Sequence, residues 1–342
     1  MTARELLRAT LSGHPVPRAA CAPLAVHATA RLAGVSLRSY TSDPAIMADC
    51  IASYHAQFKP DALWVSADTW ITAEAMGARV IFPGDDEPAT GDLPPPVASG
   101  ADIDQIPPAD PHARGRMPLM IEALRILRQR LGPDVFIVAC FDQSPFSAAC
   151  ALAGITEVLG RTITDRSFID LLMRRGIEHA VAYAVALAEA GADMLSTGDS
   201  PAGLLGPRLY REVALPAERQ LFEAIRQRAG VPLSLHICGR VAPILADMAT
   251  SGADVLEIDQ QVDLAEACRV VPPEVAIWGN LDPVELLLRG SPRDVSRAAR
   301  GAIATVRRAG RARFVLSSGC TLAPGTPAAN LHALFEAARG GG

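Results

Sequence analysis

Along the chain, short apolar runs alternate with longer Ala-, Leu- and Arg-rich segments whose apolar residues recur every third or fourth position. The runs read as buried strands: "CAPLAVHA" (21–28), "ALWVSAD" (62–68), "DVFIVACF" (134–141), "ADMLSTGD" (192–199), "VPLSLHIC" (231–238), "ADVLEID" (253–259), "EVAIWGN" (274–280) and "RFVLSSGC" (313–320). Between them, "GIEHAVAYAVALAEAG" and "SPRDVSRAARGAIATVRRAG" carry helical spacing, and a Gly closes each. "EAGADML", "TSGADVL" and "RAGRARFVL" repeat one join, a helix stopped by Gly and then a buried strand. Strands alternating with helices in this way predict an α/β fold, a (β/α)8 TIM barrel in a single domain (1–342) with an N-terminal helical extension. A doubly wound open sheet is the alternative, because strand order is not written in the sequence.

Two stretches fall outside the alternation. Residues 84–111, rich in Pro, Gly and Asp, read as a surface loop inserted within the domain, and residues 339–342 as a frayed tail. Composition changes little. Hydrophobic residues make up 49% and charged residues 20%, which suits a globular chain with a substantial core. A formal charge of −5, with 32 basic and 37 acidic residues intermixed, offers no basic stripe for nucleic acid and no cationic helix for a membrane surface. No signal peptide or membrane span is read, so a cytoplasmic location is the expectation. The seven cysteines are scattered, and Cys21, Cys50, Cys140, Cys150 and Cys268 read as buried thiols.

The strand ends hold the candidate chemistry. In a barrel, reacting groups collect where strands run into the βα loops. Those positions carry Asp68, Asp199, His236 with Cys238, Glu257 with Asp259, Asn280 with Asp282, and Cys320. On a strand, residues two apart face the same side, so His236 and Cys238 point together while Ile237 points into the helix layer. Cys320 ends another apolar run, 82 residues on. One imidazole and two thiolates suit zinc with an open fourth position. Such a zinc would hold a substrate thiolate better than it would activate water. Glu257 or Asp259 could occupy the fourth position at rest.

The stretches "LSLHICGR", "GADVLEIDQQVDLAEA", "AIWGNLDPVELLLRGSPRDV" and "FVLSSGCTLAPGTPAANLHAL" resemble the uroporphyrinogen decarboxylase-like superfamily. The likeness is to its methylcobamide:thiol (coenzyme M-type) methyltransferase branch, and it runs from about residue 2 to 338. It implies His236, Cys238 and Cys320 as zinc ligands. It also implies methyl transfer from a methyl-corrinoid, usually carried by a separate corrinoid protein, to a small thiol. Asp199, Glu257 and Asp68 stand as candidate catalytic residues, and Asn280 and Asp259 as candidate cofactor-binding residues. The alternative is a metal-independent decarboxylase of the uroporphyrinogen type. Against it, the decarboxylases' Arg-rich N-terminal motif is replaced by "VHATARLAG", which leaves only Arg31, and their Gly-His-Gly by "SSGC". "DPHARG" (110–115) matches the Asp-x-His-x-x-Gly pattern of cobalt-ligating proteins, but it follows a Pro-rich loop and not a strand, so it reads as accidental.

Overall fold

The structure, a computed structural model, describes residues 1–90 and 94–340. Eight parallel strands succeed one another around a sheet: β1 (Ala20–Cys21), β2 (Ala62–Val65), β3 (Phe136–Gln143), β4 (Met194–Gly198), β5 (Leu233–Ile237), β6 (Val255–Ile258), β7 (Ala276–Leu281) and β8 (Phe314–Ser318). Each pairs with the next from β2 to β8, and β8 pairs with β1. Asp61 bridges the remaining seam. Its N–H donates to the Cys21 carbonyl at 3.0 Å, and its carboxylate accepts the Cys21 N–H at 2.8 Å. The result is a nearly closed (β/α)8 barrel with helices around it, and not an open sheet.

The first strand is shorter than the apolar run 21–28 suggests. Pro23 has no N–H to give the ladder, Leu24 donates instead to the Ser318 hydroxyl at 3.1 Å, and a helix begins at His27. The repeated helix-to-strand join is built as expected. Gly191 and Gly310 end their helices at φ of 111° and 65°, and Gly252 turns the chain at φ 100° four residues after the helix Leu245–Met248, all in a region open chiefly to glycine. The Asp after each of the first two joins then serves the sheet. Asp193 accepts the Ile137 N–H at 3.0 Å and Asp254 the Leu233 N–H at 2.9 Å. Acidic residues at strand starts are therefore structural, which separates them from those at strand ends.

Alternation along the strands divides two cores. Leu233, Leu235 and Ile237 pack outward with the helices, whereas Ala62, Trp64, Phe136, Val138, Met194, Val255, Trp278 and Val315 fill the barrel. Trp64 and Trp278 meet edge to face, ring centroids 5.9 Å apart. The N-terminal helix Ala3–Leu11 closes the lower mouth. Thr2 and Glu5 form its capping box. Leu6 and Leu7 enter the inner core, each stabilising by about 2 kcal/mol through burial.

Residues 84–111 do more than cross the surface, although three of them (91–93) lie outside the described residues. The segment pairs Ile81 with Ala89, forms the helix Gly100–Asp104, and sends Glu87 and Pro94–Pro96 to the barrel's upper mouth. At the C-terminus the helix Ala328–Arg339 is tied down: Arg339 donates to the carbonyls of Phe58 and Lys59, both at 2.7 Å. Of the expected tail, 341–342 lie outside the described residues. Among the described residues no single helix is long and apolar enough to cross a membrane.

Candidate metal centre

Gly198, His236, Glu257 and Trp278 are register partners across β4 to β7, so the side chains of the last three share one level of the barrel interior. His236 Nδ1 donates to the Glu257 carbonyl at 2.9 Å, which turns Nε2 toward the sulfurs. Nε2 lies 2.9 Å from Cys238 Sγ, and that sulfur lies 3.7 Å from Cys320 Sγ. All three ligand atoms fall within 4.8 Å of one another. Two sulfurs on a tetrahedral zinc at ~2.3 Å stand about 3.8 Å apart, so the donor types and the sulfur separation both suit that ion. Gly319 makes the approach of Cys320 possible. A Cβ there would lie 2.4 Å from the backbone nitrogen of Gln260.

The three side chains share protons as a set and do not titrate singly. Burial lowers the His236 imidazole, but the hydrogen bond and charge of Cys320 and the charge of Glu257 outweigh it, leaving it raised to about 9. Cys238, hydrogen-bonded by Cys320, is lowered to about 7. Cys320, the other partner in that bond and itself buried, is pushed up to about 12. A divalent cation would take the place of these protons.

The trio opens on a cavity of about 650 Å³ with a mostly apolar wall that includes Trp64, Trp70 and Ile155. Glu257 lies in its floor. Oε1 accepts the Ser196 hydroxyl at 2.8 Å and the Ser234 hydroxyl, which leaves Oε2 for the cavity. Burial raises this carboxyl above its ordinary range.

A family model described as uroporphyrinogen decarboxylase (URO-D) matches residues 2–341. The chain belongs to the uroporphyrinogen decarboxylase family. Within it, the chain is 28% identical to the methylcobamide:CoM methyltransferase MtaA of Methanosarcina barkeri, over 98% of this chain and 97% of that one. It is 29% identical to the uroporphyrinogen decarboxylase of Crocosphaera subtropica, over 89% and 84%. A solved methyltransferase from Methanosarcina mazei superposes with a TM-score of 0.89 at 26% identity, covering 99% of both chains.

In this member of the uroporphyrinogen decarboxylase family the other sequence candidates take up different places. Asp68 lines the cavity, but both its oxygens are held by Arg116, which also binds Glu74 at 2.8 Å. Asp199 is fully buried behind the wall and accepts the Ser147 N–H at 2.7 Å and its hydroxyl at 2.8 Å. Asp259 accepts the N–H of Gly239 at 2.8 Å and of Gln261 at 2.7 Å. Asn280 donates to the carbonyls of Asp259 and Val262, so both residues bind backbone and neither lines the cavity. Asp282 caps the turn that follows by accepting from Val284 and Glu285. Arg31 pairs with Asp85, away from the cavity lining. His112 is exposed and belongs to no ligand cluster among the described residues.

Several site residues escape the sequence reading. Asp142 lines the cavity at φ 65°, its carboxyl pushed well above the usual range by burial and by Asp68. The strand-end rule reaches it once β3 is carried to Gln143. Arg116 and the serines below Glu257 leave no comparable trace, because only the closed barrel sets them against their acidic partners.

Proposed function

We propose that this protein moves a methyl group from a methyl-corrinoid, delivered by a corrinoid protein, to a small thiol held at a zinc ion, with residues 1–342 acting as one domain. The observation that carries this reading is the meeting of one imidazole and two thiols, from the ends of two different strands, at the floor of an apolar cavity. The end-to-end likeness to a methylcobamide:CoM methyltransferase supports it. His236, Cys238 and Cys320 would hold the metal, which when bound supplies a Lewis acid that keeps an acceptor thiol deprotonated.

The chain's own groups account for the rest. Glu257, raised and facing the cavity through Oε2, takes the proton that the thiol gives up. The apolar wall excludes water from the thiolate, which attacks the methyl carbon in line. The carbon–cobalt bond breaks, its electron pair stays on cobalt, and Co(III) becomes Co(I). Asp68, neutralised by Arg116, shapes the rim. Asp259 and Asn280 hold the loop after β6 against Gly239, next to Cys238.

A decarboxylase of acidic tetrapyrroles has less support. Such a substrate needs several cations, yet among the described residues lining the cavity only Arg79, His27 and His236 can carry positive charge, and His236 sits with the two thiols. His27 is already committed to Glu87. Metal analysis, together with methylcobalamin demethylation against a panel of thiols that includes coenzyme M, tests the proposal. About one zinc per chain and thiol-dependent demethylation are expected, both lost in Cys320→Ala. A wild-type protein that demethylates fully without bound metal would overturn it.

A further inference from the structure

Strand β3 changes register before it ends. Val138 pairs with Met194 and Cys140 with Ser196, but the partner of Gly198, two residues further along β4, is Gln143. Three residues of β3 therefore span two of β4, and Asp142 takes up the surplus at φ 65°. Such bulges re-aim side chains and are common beside active sites. Val138 fills the barrel and Cys140 lines the cavity, so strict alternation would put Asp142 next. The bulge gives that register position to Gln143.

Gln143 is 8% exposed and lines the cavity. Its Oε1 accepts the Ala73 N–H at 3.1 Å. Ala73 lies in the first turn of the helix Ile71–Ala75, where a backbone N–H has no partner in its own helix. A backbone N–H can only donate, so this bond fixes which end of the amide is oxygen. Nε2, the other end, meets no acceptor among the described residues and is not sealed by protein, which leaves its hydrogens for whatever fills the cavity.

Register also sets this amide level with the metal centre. Gln143, Gly198, His236 and Glu257 are successive partners across β3 to β6, and all four line the cavity. Gln143 and His236 are two strands apart, about 10 Å between backbones. Gly198 places no side chain between them, although packing does not demand a glycine. A Cβ there would meet nothing nearer than the His236 carbonyl at 3.7 Å. The floor from imidazole to amide is open.

We infer that Gln143 is a specificity-determining residue for the acceptor: its Nε2 donates a hydrogen bond to an oxygen on the tail of the thiol. This rests on the zinc reading above. The metal centre takes the sulfur end and the amide takes the tail. A thiol without that oxygen leaves a buried N–H unpaired, which is how polar sites reject analogues.

Methylcobalamin demethylation by the full-length, zinc-loaded protein is the test. Coenzyme M, whose tail carries a sulfonate, is compared with ethanethiol, which has no oxygen. Gln143→Met keeps the side chain's length and removes the amide. It should lower kcat/KM for coenzyme M about 10-fold more than for ethanethiol, chiefly through KM, with zinc content and circular dichroism retained. Equal losses for both thiols would mean that Gln143 only caps Ala73, and would overturn the inference, as would no loss for either. If that variant does not fold, Gln143→Glu decides, since it keeps an acceptor for Ala73 and has no N–H. The preference for coenzyme M should shrink there too, and an unchanged preference overturns the inference. Wild-type protein with no thiol-dependent demethylation at all would instead remove the zinc reading itself.

Discussion

Gly319 shows how much one missing methyl group can decide. Its neighbour Cys320 reaches His236 and Cys238 only because the chain passes against Gln260, where a Cβ added at Gly319 would meet the backbone nitrogen at 2.4 Å. Backbone cannot move aside as a long side chain can, so Gly319→Ala must displace the loop and Cys320 with it. Metal affinity should fall by about 10- to 100-fold, measured by competition with a chromophoric chelator. Unchanged affinity would mean that the loop relaxes without moving the sulfur. The His-x-Cys pair was legible from strand periodicity alone, and Cys320 from its place at a strand end. Asp199 and Asn280 look equally eligible by that rule, yet one turns behind the wall and the other toward backbone carbonyls. Periodicity reports which side a residue leaves the strand, not what it meets beyond the strand's end.

Among the elements, the inserted segment 84–111 departs most from its sequence reading. Glu87 reaches His27 Nδ1 at 2.7 Å while His27 Nε2 faces the Ala67 carbonyl at 2.5 Å. Both ring nitrogens face acceptors, so the ring is an imidazolium. Burial lowers the His27 pKa, but Glu87, the Ala67 carbonyl and Asp68 outweigh it and raise it above 6.5; Tyr40 adds only a ring edge, at 6.0 Å. The hydrogen bond from His27 holds Glu87 below 4.5. A raised histidine gives its full stabilisation below its unfolded pKa and loses it as pH rises through the folded value. A lowered carboxyl gives its own above its unfolded pKa and loses it as pH falls through the folded value. The clasp is therefore strongest between about 4.5 and 6.5 and loosens in alkali. Hydrogen exchange corrected for intrinsic rates should show residues 85–90 losing protection as pH rises above about 6.5, with a flatter profile in Glu87→Gln. Identical profiles would exclude the clasp. A Pro-rich composition announces a loop, but a contact 60 residues away in sequence is visible only once both ends are placed.

At the scale of the molecule, the barrel is polarised. Its lower end is sealed by the N-terminal helix and by Asp193, whose buried carboxylate takes Arg4 and Arg128, both at 2.5 Å, and the Ile137 N–H. Asp193→Ala would leave Arg4, Arg8, Arg128 and the Ile137 amide without their shared carboxylate. Chemical denaturation should show a loss of about 3 kcal/mol, while metal content per folded molecule stays at the wild-type level. A loss below about 1 kcal/mol would mean that water reaches those groups and replaces the carboxylate. Stability and chemistry thus lie at opposite ends of the same strands, as the direction of a parallel barrel requires.

The sequence by itself determined the alternation of strands and helices, the glycine-ended joins between them, and the His-x-Cys pair on one face of β5. These are local properties of propensity and two- or three-to-four-residue spacing, and they need no knowledge of distant partners. Closure of the sheet was decided only in three dimensions, where Asp61 bridges β1 and β2. So were the pairing of Asp68 with Arg116 and the reach of the inserted segment to the cavity mouth. Each of these depends on burial and on a contact between residues far apart in the chain. Charge state and reach are properties of a surrounding, and no single stretch of sequence contains its own surrounding.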